Sequence, residues 1–151
     1  MTLDVVVEDA GWHALVPELD RLVADAARLV LPPDKAGHSV NLLFADDATL
    51  HQLNRDFRHQ DKPTNVLSFP GGPMPDGERP HLGDIAFARE TITREAALQG
   101  KTPAAHTSHL IIHGLLHLLG FDHETEAEAD IMEAREIALL AQLGYANPYQ
   151  S

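Results

Sequence analysis

Three histidines stand at the spacing of a metal site: His113, His117 and His123, with Gly120 between the second and third. On a helix, positions i and i+4 lie about 40° apart on one face, so His113 and His117 can present two imidazoles to one ion. Gly120 offers the left-handed conformation that ends a helix at little cost, and the turn it permits can bring His123 back as a third ligand. Three neutral imidazoles leave a fourth position for water or substrate, which is the pattern of catalytic zinc; structural zinc sites usually close all four.

A lone histidine on an apolar helix is more often a packed core residue, and two at i,i+4 can arise by chance in a chain with ten histidines. The full spacing H-x-x-x-H-x-x-G-x-x-H carries more, because all four positions must coincide. One position departs from the zinc peptidases that share this spacing. They place a glutamate directly after the first histidine as general base, and this chain has Gly114 there. The metal site stands while the peptidase reading weakens. There is no cysteine, so only imidazoles and carboxylates can hold an ion.

The string His113-Gly114-Leu115-Leu116-His117-Leu118-Leu119-Gly120-Phe121-Asp122-His123 resembles the signature of the YbeY family of bacterial metal-dependent endoribonucleases. The stretch from Asp61 to Pro70 (DKPTNVLSFP) resembles that family's second signature, and Leu82-Gly83-Asp84-Ile85 and Leu143-Gly144-Tyr145 extend the similarity over roughly residues 40 to 149. The first forty residues match only in pattern. The resemblance implies a zinc-dependent, single-strand-specific endoribonuclease with one Zn2+ per chain. It would act in ribosomal RNA processing at the 3′ end of 16S rRNA and in ribosome quality control. The implied partners are single-stranded ribosomal RNA, small ribosomal subunit proteins and assembly factors, with no membrane and no DNA. It also implies a functional arginine at Arg58; the residues alone do not separate Arg58 from Arg55.

Zinc can lower the pKa of a bound water toward roughly 7 and polarise a phosphoryl oxygen. A guanidinium aimed at the non-bridging oxygens suits the charge that gathers there in the transition state. The general base stays open among the zinc-bound hydroxide, Asp122 and the RNA 2′-hydroxyl. Asp122 serves either as a catalytic group or as a partner that orients the neighbouring ligand. His106 and His109 continue the polar stripe of the same helix as cleft-lining partners or as packed histidines. Asp84, Thr64 and Ser68 line the site or act as turn residues.

The elements that must position these groups are legible in outline. Leu3 to Val7 reads as a strand, and the apolar set from Trp12 to Val30 reads as one amphipathic helix ending before Pro32-Pro33. Val40 to Phe44 is a second strand, parallel to the first across that helix. A helix with Leu50, Leu53 and Phe57 inward leads to strands at Asn65 to Phe69 and Asp84 to Ala88, separated by a Pro- and Gly-rich loop. Helices follow at Arg89 to Gln99, at Ala104 to Leu119 and from Glu124 to Leu143. The last has Ala127, Ile131, Ala134, Ala138 and Ala141 inward, Met132 in the core, and its carboxylates solvated. The fold expected is α+β: a small mixed sheet of about four strands packed with about five helices, a central buried helix carrying the His ligands. Residues 1–151 would form a single hydrolase domain.

The net charge of −12 excludes a protein that grips nucleic acid over its whole surface. The cations Arg55, Arg58, Lys62, Arg79, Arg89, Arg94 and Lys101 fall in the middle third and would form one basic groove or scatter as solvated side chains. The N-terminus has no basic n-region and too short an apolar run for a signal or span, so a cytoplasmic location is expected. Three other readings compete: a metallopeptidase, a non-catalytic metal-bound ribosome assembly factor docking through its acidic surface and the Tyr145 to Tyr149 tail, and a structural metal site.

Overall fold

The computed structural model describes residues 2–35, 37–71 and 81–149. The elements run β1 (Thr2–Val7), α1 (Gly11–Leu15), α2 (Leu19–Val30), a 3-10 turn at Pro33–Lys35, β2 (Ser39–Ala45), α3 (Asp47–Arg58), β3 (Val66–Pro70), β4 (His81–Ala88), α4 (Arg89–Leu98), α5 (Pro103–Leu118) and α6 (Glu126–Gln142). The sheet order is β1-β2-β4-β3. β1 and β4 pair parallel to β2, and β3 pairs antiparallel to β4, so the sheet is mixed, four-stranded and of the α+β class expected.

Side chains alternate across the sheet with period two. Val40, Leu42, Phe44, Ile85 and Phe87 fall on one face and belong to the main core with Ile111, Ile112 and Leu115 of α5. Leu43, Ala45, Leu67, Ala86 and Ala88 fall on the other and form a smaller core with Leu50 of α3. Phe44 stacks on Phe87 with centroids 4.6 Å apart. Trp12 meets the edge of Phe44 and donates its indole N–H to the Ala45 carbonyl at 2.9 Å. α5 starts as its sequence dictates, with Pro103 in the first turn and the Thr102 hydroxyl accepting from the Ala105 N–H at 3.1 Å. It then runs between β3 and β4 on one side and α2, α4 and α6 on the others.

Three expectations are corrected. The helix read from Trp12 to Val30 is two helices, because Pro17 lacks an N–H and disfavours helical geometry at Val16; this split supplies the sixth helix. The apolar stripe survives the break, with Trp12, Val16, Leu19, Leu22, Val23, Ala26 and Val30 all buried. Phe57 is not inward but 65% exposed, and Asn54 takes the buried position. Asn54 is needed there, since its side-chain amide donates to the Lys62 carbonyl at 3.0 Å. On α6 the expected face is outward: Ala127, Ile131, Ala134, Ala138 and Ala141 are exposed, and Met132, Glu136, Leu139 and Leu140 are buried. Both stripes have helical spacing, and the larger side chains remove more apolar area from water than alanines can. The loop expected between β3 and β4 lies, for residues 72–80, outside the described residues.

Candidate metal centre

The C-terminal end of α5 builds the site. After Leu118 the Gly120 N–H bonds the His117 carbonyl at 3.0 Å and the Phe121 N–H bonds the Leu116 carbonyl at 3.0 Å, the paired closure of a helix that ends in a left-handed residue. Gly120 supplies that residue with φ of 100°. The turn returns His123 beside the helix. His123 lies 5.8 Å from His113 and 5.0 Å from His117, centroid to centroid, and each of the three rings offers one nitrogen within 4.8 Å of the others. Such a donor set could hold a metal ion, and neutral imidazoles suit zinc and other first-row ions. Burial first, then the neighbouring His113 and His123, lowers the His117 pKa below its ordinary 6.5. The ring is thereby kept in the form that can donate a lone pair.

One residue essential to this geometry escaped the sequence reading. Glu136 is fully buried on α6, and one carboxylate oxygen lies 2.5 Å from His113 Nδ1. The Tyr149 hydroxyl donates to its other oxygen, and His109 Nε2 sits 3.3 Å from that hydroxyl. Burial alone would raise the Glu136 pKa, yet hydrogen bonds from His109, His113 and Tyr149 overcome it and hold the carboxyl at about 2. Burial and then the adjacent carboxylate raise the Tyr149 phenol in turn. A carboxylate on Nδ1 fixes the ring and leaves Nε2 of His113 for an ion, the outer support that histidine ligands commonly have. The signal in the sequence was that Glu136 completes the stripe of Met132, Leu139 and Leu140 at helical spacing.

The three histidines open on a cleft of about 550 Å³ whose walls include Arg58, Ser68 and Asp122. Arg58 donates to the Ser68 carbonyl, and its guanidinium lies 5.0 Å from the Phe69 ring centroid. Arg55 is not part of the cleft wall and pairs with Asp56 at 3.3 Å, so the geometry separates the two arginines. Asp122 accepts from the His123 N–H at 2.7 Å, which steadies the turn carrying that ligand candidate. Ser68 lines the cleft; Thr64 does not, and Asp84 lines a groove that also holds Leu43 and Ala86 of the other sheet face.

Among the described residues the cations form no single basic groove. Arg89 pairs with Asp9 at 2.6 Å, Arg94 with Asp47 at 3.0 Å, and Lys101 donates to the Pro148 carbonyl at 3.0 Å. Arg79 lies outside the described residues. Among the described residues only Arg58 of this set reaches the histidine cleft. The tail from Tyr145 to Tyr149 packs on its own chain through Lys101 and Glu136.

Gly114 explains why the peptidase base has no counterpart. It is buried against β4, and a Cβ there would come within 2.9 Å of Ile85 Cγ2 and 3.2 Å of Ser68 Oγ. α5 lies so close to the sheet that any side chain after His113 would force Ile85 and Ser68 to shift.

A mixed four-stranded sheet crossed by a buried helix that ends in a three-histidine cluster beside an arginine defines an α+β protein with a candidate metal centre on an open cleft. A family model described as Endoribonuclease YbeY matches residues 9–144. Proteins named Endoribonuclease YbeY from Azorhizobium caulinodans and Rhodospirillum rubrum are 49% and 50% identical. The first alignment covers 99% of this chain and 96% of the relative, the second 93% and 78%. The Rhizobium johnstonii protein of the same name is 43% identical, over 99% of this chain and 94% of its own length. A solution structure of a Thermotoga maritima protein shares the fold at a TM-score of 0.59 and 21% identity, over 99% of this chain and 100% of that one. The chain belongs to the YbeY endoribonuclease family. The match begins at residue 9, so α1 and α2 are part of the family's pattern as well.

Proposed function

We propose that this chain is a zinc-dependent endoribonuclease that cuts single-stranded ribosomal RNA in a cytoplasmic setting. Its substrate region would be the 16S rRNA 3′ end, and ribosome quality control would draw on the same activity. Family membership supports a nuclease acting on RNA, and one observation carries the finer reading: Arg58 and the three imidazoles face the same cleft.

Zinc bound by His113, His117 and His123 supplies Lewis-acid polarisation of a phosphoryl oxygen and a water of lowered pKa. The chain's own residues do the rest. Arg58, a fork of fixed positive charge, meets the non-bridging oxygens where negative charge gathers. Glu136 holds the His113 ring, and Asp122 holds the backbone of His123. No protein carboxylate stands in the glutamate position of the peptidases: Gly114 takes it, packed where a side chain would press on Ile85 and Ser68.

The test is cleavage of an unstructured fluorescent RNA by purified protein together with metal analysis by mass spectrometry. Wild type should carry close to one zinc per chain and cut the RNA. Arg58→Glu should keep the zinc and lose the cutting, and His113→Ala should lose both. Undiminished cleavage by both variants overturns the assignment. Chelator-sensitive cleavage of casein without cleavage of RNA would replace it with a peptidase.

A further inference from the structure

On the sheet face away from the histidines lies a second cavity of about 420 Å³, walled by Leu43, Leu53, Phe57, Phe69 and Ala86, with Asn41 and Asp84 at its polar end. Phe57 is 65% exposed and stands edge-on to Phe69 at 5.9 Å. An aromatic pair left open to solvent at a cavity mouth costs solvation that a packed phenylalanine would avoid. Arg58 joins the two cavities: it follows Phe57 in sequence, lines the histidine cleft, and carries its guanidinium over the Phe69 ring. Only the edge strand β3 separates the two.

We propose that this groove is a nucleobase pocket, in which Phe57 and Phe69 hold a base of the RNA strand next to the phosphate that Arg58 meets. The proposal rests on the endoribonuclease reading and names how that site takes hold of its substrate. A single strand crossing the β3 edge places a phosphate at the guanidinium and the neighbouring base against the aromatic rings. Base stacking on aromatic side chains is the usual means of holding unpaired nucleotides. This chain has particular need of it. A body of net charge −12 repels RNA, and several of its described cations, Arg28, Arg89 and Arg94 among them, are paired with its own carboxylates, so phosphate neutralisation supplies little affinity. The exposed cations Arg55 and Arg58 flank Phe57 in the last turn of α3, and Lys62 follows in the loop beyond it. At the far end Asp84 Oδ1 accepts from Asn41 at 2.8 Å and His81 Nε2 lies 3.0 Å from it, which fixes a polar edge against which the rim of a base can bond.

The experiment is a cycle between protein and substrate. Wild type and Phe57→Ala, both zinc-loaded, are assayed for kcat/KM on one single-stranded oligonucleotide and on copies with an abasic residue at each position around the cut. Stacking contributes about 1 to 3 kcal/mol per base, so Phe57→Ala should lower kcat/KM by roughly 5- to 150-fold on the intact strand. One abasic position should cost wild type a similar factor and cost the variant little more. Phe57→Trp should restore the rate, and thermal melting should show both variants folded, since the side chain is mostly exposed. Equal kcat/KM for wild type and Phe57→Ala, or abasic losses that are the same in both, overturn the pocket; the latter assigns the groove to a protein partner. A wild type that cuts no RNA removes the endoribonuclease reading itself and the pocket with it.

Discussion

The two halves of α5 carry the same residue type on the same stripe and treat it differently. His106 and His109, toward the N-terminus, are buried; His106 Nε2 meets Glu95 at 2.8 Å, and His109 faces Tyr149 and Glu136. His113 and His117, one and two turns further, are half-buried and open on the cleft. Adjacent rings are 6.3 Å apart in the first pair and 4.7 Å in the second. Helical periodicity alone does not distinguish them. What does is the surroundings: α4 and α6 close over the first pair with carboxylates, whereas the Gly120 turn brings a third imidazole to the second pair. A histidine stripe becomes a candidate metal centre only where the chain returns a further donor and leaves a side open.

The sharpest way to break that contrast is to remove one ring from each half. His117→Ala should abolish stoichiometric zinc and reduce RNA cleavage by more than roughly 100-fold, beyond what loss of an outer partner costs. His106→Ala should keep the zinc, with its damage confined to thermal stability. If mass spectrometry finds zinc in the first variant at wild-type level, the division between the halves is wrong.

Glu136 blurs the division, because it touches His109 in one half and His113 in the other. Glu136→Gln keeps the shape and removes the charge, and zinc affinity measured by chelator competition should fall about 10- to 100-fold. Tyr149→Phe should move it in the same direction by less, since the phenol acts one step further out. Wild-type affinity in Glu136→Gln would reduce the carboxylate to a packing role.

How much of this was legible depends on whether a feature is local. The ligand candidates and the turn that returns the third all lie within eleven consecutive residues at the end of one apolar helix, and local spacing is enough to read them. The parallel βα crossover and the apolar α5 were legible for the same reason. Glu136 was not, because α6 offers two stripes of helical spacing and only packing against α5 decides which turns inward. Phe57 was misjudged likewise: an apolar residue at the right spacing sits at the helix end, where the sheet beneath it has run out to its edge strand. Arg58 could be preferred over Arg55 only through the resemblance, since both lie on one exposed turn and the cleft that distinguishes them is made by β3 and α5. Pro17 was legible on local grounds and was overridden by the periodicity around it.

The closeness of α5 to the sheet can be tested without touching a histidine. Gly114→Ala should destabilise the fold by about 1 to 3 kcal/mol, because the new methyl group meets Ile85 at 2.9 Å. Denaturant unfolding measures this, and the companion Gly114→Ala with Ile85→Val should recover part of the loss. A neutral Gly114→Ala would mean that the helix can lift from β4, and that the missing glutamate reflects chemistry and not space.

The smallest effect concerns protons. Burial lowers the His106 pKa below 6.5 while its hydrogen bond to Glu95 opposes the shift. The folded state therefore holds this ring neutral, and the unfolded chain takes up the proton first as pH falls through 6.5. The linked stability is present above about pH 6.5 and is lost on acidification. Glu136 obeys the same sign in a lower window: its contribution is present above 4.5 and drains away as pH falls toward about 2. With chelator present, wild type should lose thermal stability between pH 7.5 and 5.5 by slightly more than His106→Gln, the difference isolating this ring from His117, whose pKa is lowered in the same direction. Were the Glu95 bond the stronger influence, the folded ring would bind the proton more tightly than the unfolded one. Wild type would then gain on the variant as pH falls. The sign of that small difference tests whether the buried half of α5 is built to exclude charge, as follows where His106, only 3% exposed, loses more by desolvation than its 2.8 Å bond to Glu95 returns.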